Sequence, residues 1–178
     1  KNFEIVIQLG AILSVVVLYW RTFLNSFRFY VKLAFAFLPA AIAGFFLENY
    51  IDRLLENVWV VIIAILLGGI VLIFVDRWFK HAEGTEEQDI SWFQAIKIGC
   101  FQCIAMIPGV SRAAATIIGG MAVGLNRRTA AEFSFFLAVP TMLGASAKKM
   151  MDSYKTIQHH DIAILLLGSF VAFVVALF

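Results

Sequence analysis

The sequence predicts an all-α, polytopic membrane bundle containing one broken, re-entrant helix hairpin. Three observations carry that prediction. The 178 residues are 62% hydrophobic and 15% charged, against about 45–50% and 25% in soluble domains. Apolar runs recur along the chain near the roughly 20 residues that a bilayer core asks of a helix. Two further runs are too short to span and are separated by Pro108-Gly109.

The runs follow in order. Residues 5–20 are apolar apart from Gln8 and Ser14, with Tyr19 and Trp20 where an aromatic belt belongs. Arg21, Arg28 and Lys32 make the next loop basic. Residues 29–47 form a second span, carrying Pro39, which predicts a kink or a locally opened backbone. Residues 48–57 read as a short acidic loop. Residues 58–75 are a clean third span, with Gly68-Gly69 offering close helix contact. Residues 76–91 hold five acidic side chains and read as a solvated loop with room for a surface turn of helix, where His81 is an ordinary loop histidine.

Residues 93–107 then enter the membrane and stop at Pro108. Residues 113–125 form the second short run. Together they read as a re-entrant hairpin over about 93–125, tolerable at membrane depth only when buried in protein or lining a polar cavity. Residues 131–147 and 162–178 complete the set, with a polar stretch between them. His159 and His160 are adjacent, so they do not share a helix face, and an interface loop is the expected setting. Cys100 and Cys103 lie one turn apart in an apolar helix, without the second ligand pair that a zinc or redox site needs.

A net charge of +2 without a basic stripe argues against nucleic acid. The chain opens at Lys1 and ends inside an apolar run, so a single membrane domain over 1–178, part of a longer protein, is expected. The cations on successive loops, Arg127-Arg128 against Lys148, Lys149 and Lys155, oppose one another and leave the orientation open.

The chemistry concentrates in Ile107-Pro108-Gly109-Val110-Ser111-Arg112. An arginine between apolar runs costs several kcal/mol, by rough estimate, unless a partner offsets it. Gly109 permits a sharp turn and a close backbone approach to a ligand. Ser111 is a natural N-cap for the helix that follows. That helix start offers unpaired N–H groups and partial positive charge to an anion. Arg112 adds a planar fork suited to phosphate, and Thr116, four residues on, can face the same side. Against this, Ser111 can act only as a cap, Thr116 can bond back to its own helix, and Arg112 can pair with Glu132. Gln8, Gln102, Glu132 and Ser134 are the other polar residues in apolar runs. Each can serve a buried site or simply join helices, and Glu132 can also bind a metal, move a proton or reach the interface.

IPGVSRAAATIIGGM with LNRRTAAEFSFFLAVP strongly resembles the second signature of the bacterial undecaprenyl-pyrophosphate phosphatases, and FEIVIQLGAIL and GCFQCIAMIPG resemble the same family. The resemblance covers essentially the whole chain. It implies an inner-membrane, multi-pass enzyme that removes the terminal phosphate of C55 isoprenyl pyrophosphate and recycles the cell-wall lipid carrier. It also implies an inverted-repeat bundle with two re-entrant hairpins. Arg112 would neutralise the pyrophosphate, and Ser111 and Thr116 would bind its oxygens beside Gly109.

The family serine after the arginine is Ala113 here. The family's acidic signature is expected before Lys1, because Glu4 and Gln8 have its spacing in reverse order. The present chain is therefore expected to hold the phosphate-binding half of the site and to be inactive alone. The alternative is a transporter or lipid-phosphate flippase with an anion site at Arg112. A divalent cation, Mg or Ca, is a candidate companion of the pyrophosphate. Membrane lipids and a second copy of the chain are candidate partners.

Overall fold

The computed structural model describes residues 2–18, 27–82, 88–153 and 159–177. All regular structure among them is helical, as a chain in hydrocarbon must arrange its backbone polar groups. The helices are α1 (Asn2–Leu18), α2 (Phe27–Glu56), α3 (Val58–Trp78), α4 (Trp92–Ile104), α5 (Arg112–Ala122), α6 (Arg127–Ser153) and α7 (His159–Leu177), with a 3-10 turn at Lys80–Ala82. α2, α3 and α6 each contain a stretch long and apolar enough to cross a membrane. The aromatic pair Tyr19 and Trp20, together with Arg21 and Lys155, lies outside the described residues, as do the side chains of His81, Lys149, His159 and His160.

The chain forms two compact units. In the first, Lys1–Tyr30 with Phe136–Phe178, α1 packs along α7. Gly10 lies so close to the backbone of Ser169 that a Cβ there would collide with its carbonyl. Small residues let membrane helices approach in this way. Gln8 is exposed on α1 of this unit. Phe29 and Phe136 meet edge to face at 5.0 Å.

The second unit, Val31–Phe135, holds the broken helix. α3 is almost bare of protein, with Ala64 and Val75 its buried residues. Asn57 caps it by accepting from Trp59 N–H at 3.1 Å. α4 starts with a reciprocal capping box. Ser91 Oγ accepts from Gln94 N–H at 3.2 Å, and Gln94 Oε1 accepts from Ser91 N–H at 2.9 Å. Gln94 Nε2 also donates to Val123 O at 3.0 Å, so the start of α4 meets the end of α5. The two short helices are thus antiparallel arms of a hairpin. Their 13 and 11 residues reach only about 20 and 16 Å, short of a bilayer core. They touch where a Cβ on Gly119 would lie 2.6 Å from Phe101 Cβ.

Three boundaries differ from the sequence reading. The acidic stretch after residue 47 is not a loop, because α2 continues through it to Glu56. α6 likewise runs from Arg127 to Ser153, beyond the apolar run, with Pro140 inside it. The stretch at 76–91 is only partly solvated. Ala82 and Ile90 are buried, Lys32 Nζ pairs with Asp89 at 2.6 Å, and Arg127 with Asp76 at 2.6 Å. Gln88 Oε1 accepts from Asn126 N–H at 2.7 Å, and Gln88 N–H donates to Thr129 Oγ1 at 3.2 Å. Those contacts hold the hairpin base against the start of α6.

Candidate functional site

The hairpin tip is built from a run of tight turns. N–H groups of Ala105, Met106 and Ile107 bond to carbonyls three residues back, and Val110 bonds to Ile107. Pro108 is buried, and its missing N–H ends the helical ladder. Gly109 adopts φ +94, which suits glycine. A Cβ at Gly109 would lie 2.6 Å from Val61 O and 3.1 Å from Ala64 Cβ. The tip therefore rests directly on α3. Val61 lies fifteen residues along α3 from Asp76, whose ion pair marks the hairpin base. That separation is about 22 Å of helix rise, so the tip reaches toward the Val58 end.

Ser111 is the N-cap of α5, as the sequence predicts. Its Oγ accepts from Ala114 N–H at 3.3 Å, and Ala115 N–H bonds to Ser111 O at 3.0 Å. Arg112 and Ala113 therefore supply the first-turn amides that the helix itself does not bond. Ser111 and Gly109 are exposed, while Arg112 is half-buried. Arg112 Nη1 is fully buried and has no hydrogen-bond partner among the described residues. A permanent charge with an unused buried donor calls for an acceptor.

Thr116 lies beside Arg112 but turns the other way. It is 1% exposed. Its Oγ1 donates to Arg112 O at 3.0 Å and approaches Ala113 O at 3.2 Å. It also meets Ser134 Oγ on α6 at 2.6 Å. The structure thus joins Thr116 to Ser134, a pairing that neither local run signals. Glu132 does not orient Arg112. Its carboxylate accepts from Arg128 at 3.0 Å, one turn back on α6. Gln102 is buried in the last turn of α4, just before the tip, and its backbone carbonyl accepts from Ala105 N–H at 3.0 Å. Lys97, missed in the sequence reading, lies on α4 with its ammonium 4.7 Å from the Phe93 ring centroid. Its cue was a lysine five residues into an apolar arm.

No three His, Cys, Asp or Glu side chains converge among the described residues. Cys103 Sγ turns toward Gly99 O at 3.5 Å, and Glu132 is engaged by Arg128. These donors do not fit a resident divalent cation, and no chemical step is assigned to one.

A capped helix start, two first-turn amides, a serine hydroxyl and a guanidinium whose buried Nη1 has no partner among the described residues form a cradle that can hold an anion. Comparison with known proteins bears on what that cradle serves. The undecaprenyl-diphosphatase of Flavobacterium johnsoniae is 56% identical over 181 residues, covering 99% of this chain and 68% of that protein. That of Bdellovibrio bacteriovorus is 50% identical over 179 residues, with the same coverage of each. That of Clostridium tetani is 43% identical over 187 residues, covering 98% of this chain and 69% of the relative. The family model described as bacitracin resistance protein BacA matches residues 1–178. The helical chain that carries this arginine-tipped hairpin therefore belongs to the BacA family of bacitracin resistance proteins.

Proposed function

We propose that the protein acts as an undecaprenyl-diphosphatase, with the hairpin tip binding the pyrophosphate of the prenyl lipid. The observation that carries the reading is the buried Nη1 of Arg112, without a partner among the described residues, at a capped helix start. Relatives 56% and 50% identical to this chain carry that name. In the net reaction one water is consumed, the anhydride P–O bond breaks, the bridging oxygen leaves with the lipid monophosphate, and the water oxygen stays on the released phosphate while its protons pass to the phosphates or solvent. Arg112 neutralises charge gathering on the phosphoryl oxygens. The amides of Arg112 and Ala113 complement it along the helix axis. Ser111 Oγ accepts from Ala114, which leaves its own proton to donate to a phosphate oxygen. A Mg or Ca ion would come with the pyrophosphate as its counter-ion in this reading.

The charge pattern supports an orientation. Lys32, Arg77, Lys80, Lys97, Arg127 and Arg128 lie toward the hairpin base, whereas the Val58 end of α3 has Arg53 nearby. Cations favour the cytoplasmic side. The base then faces the cytoplasm of a bacterial inner membrane, and the tip opens toward the other face. The test of function is release of phosphate from a prenyl pyrophosphate by the complete protein. Arg112→Ala should abolish it while the protein still folds, and unchanged turnover would remove the assignment.

A further inference from the structure

The hydroxyl pair Thr116–Ser134 has a direction, because protons can be counted. A hydroxyl has one proton to donate, and a carbonyl can only accept. The contact between Thr116 Oγ1 and Arg112 O at 3.0 Å therefore uses the proton of Thr116. Either hydroxyl can donate across the 2.6 Å contact with Ser134; with the Thr116 proton on a backbone carbonyl, Arg112 O or Ala113 O at 3.2 Å, the donor there is Ser134. A chain results: Ser134 O–H donates to Thr116 Oγ1, and Thr116 O–H donates to the carbonyl of Arg112. Both side chains are buried, at 2% and 1% exposure, so water does not compete for those bonds.

The carbonyl of Arg112 shares a planar trans peptide unit with the N–H of Ala113. The helix ladder sets that carbonyl along α5, with Thr116 O–H as a second donor to it, so the Ala113 N–H points the opposite way, out of the helix start. Ala114 N–H is already used by Ser111, whereas the N–H of Ala113 points at the cradle. Serial hydrogen bonds also polarise one another and strengthen the terminal donor.

We propose that Ser134 is a positioning residue that acts through Thr116 and the Arg112–Ala113 peptide to aim the Ala113 amide at a phosphate oxygen. The proposal rests on the diphosphatase reading and deepens it. Thr116 becomes a strut between α5 and α6 rather than a direct ligand. An alanine at position 113 becomes acceptable, since its backbone makes the contact.

The experiment is phosphate release from a prenyl pyrophosphate by the complete protein, with melting temperature measured alongside. Ser134→Ala should lower kcat/KM about tenfold, as loss of one oriented donor would, mainly through KM. Melting should move little. Ser134→Thr should restore activity. In a Thr116→Val background, Ser134→Ala should add no further loss, because the chain is already cut. Should Ser134→Ala fail to fold, Ser134→Cys, a weaker donor of similar size, should give an intermediate KM. A Ser134→Ala enzyme within twofold of the parent, or additive losses in the double variant, would overturn the coupling while leaving the diphosphatase reading intact. Undiminished phosphate release by Arg112→Ala would sink both.

Discussion

Arg112 brings a charge that cannot be discharged into an apolar setting, at about 2.5–3.5 kcal/mol on insertion scales. Its Nη1 is buried without a partner among the described residues, so the geometry of the fork matters as much as the charge. Arg112→Lys keeps the charge and loses the second donor arm. We expect phosphate release to fall about a hundredfold, in the range of removing one charge-stabilising donor, with little change in melting temperature. Divalent cations can be tested at the same scale. If they arrive as counter-ions of the substrate, a chelator should raise KM, and substrate premixed with Mg should restore it. Loss of kcat at saturating Mg-substrate would instead point to a cation held by the protein. Ser111 was legible as a cap because N-caps are written locally, in one side chain and the helix behind it. The partner of Thr116 was not, since Ser134 lies on another helix, eighteen residues on. Nor was the inward turn of the Thr116 hydroxyl, because spacing gives the face of a residue but not what meets it.

The hairpin depends on glycines for two different reasons, and a paired experiment separates them. Gly109 and Gly124 have nearly the same φ, +94 and +93. A Cβ on Gly109 would meet α3, whereas none of the described residues lies within 4 Å of one on Gly124. Gly124→Ala should therefore cost only backbone strain, about 1 kcal/mol. Gly109→Ala should cost that and the displacement of the tip from Val61 and Ala64, and so lose activity as well. Thermal unfolding and phosphate release on both variants check this, and equal behaviour would count against the close seat on α3. The hairpin itself was readable because two arms of sub-spanning length flank a Pro-Gly break. The extents of α2 and α6 were not. Hydropathy ends where lipid ends, but backbone hydrogen bonding carries a helix on into water. The stretch at 76–91 misled for a related reason. Its charges are solvated as they looked, but Asp76 and Asp89 also pair with Arg127 and Lys32 and the Gln88 amide holds Asn126, and no local pattern announces such pairings.

Across the molecule, the loop charges gave no orientation while they were counted in chain order. Sorting those of the unit that holds the hairpin by the hairpin's two ends supports the proposed one, whereas Lys148, Lys149 and Lys155 beyond the α6 apolar run argue for the reverse. Cysteines introduced singly at Asn57 and Arg128, with Cys100 and Cys103 replaced, test it. A membrane-impermeant thiol reagent should label Asn57→Cys on intact spheroplasts and Arg128→Cys only after permeabilisation, and the reverse pattern would invert the assignment. The amide of Gln94 has a consequence for biogenesis. By holding Ser91 and Val123 at once, it ties the entry and exit of a 30-residue excursion to one interface. Such an excursion contributes an even number of crossings, so α6 must begin on the side where α3 ends. Lengthening one arm until it spans would change that parity. Everything synthesised after it would then be delivered to the wrong compartment, although every helix could still form.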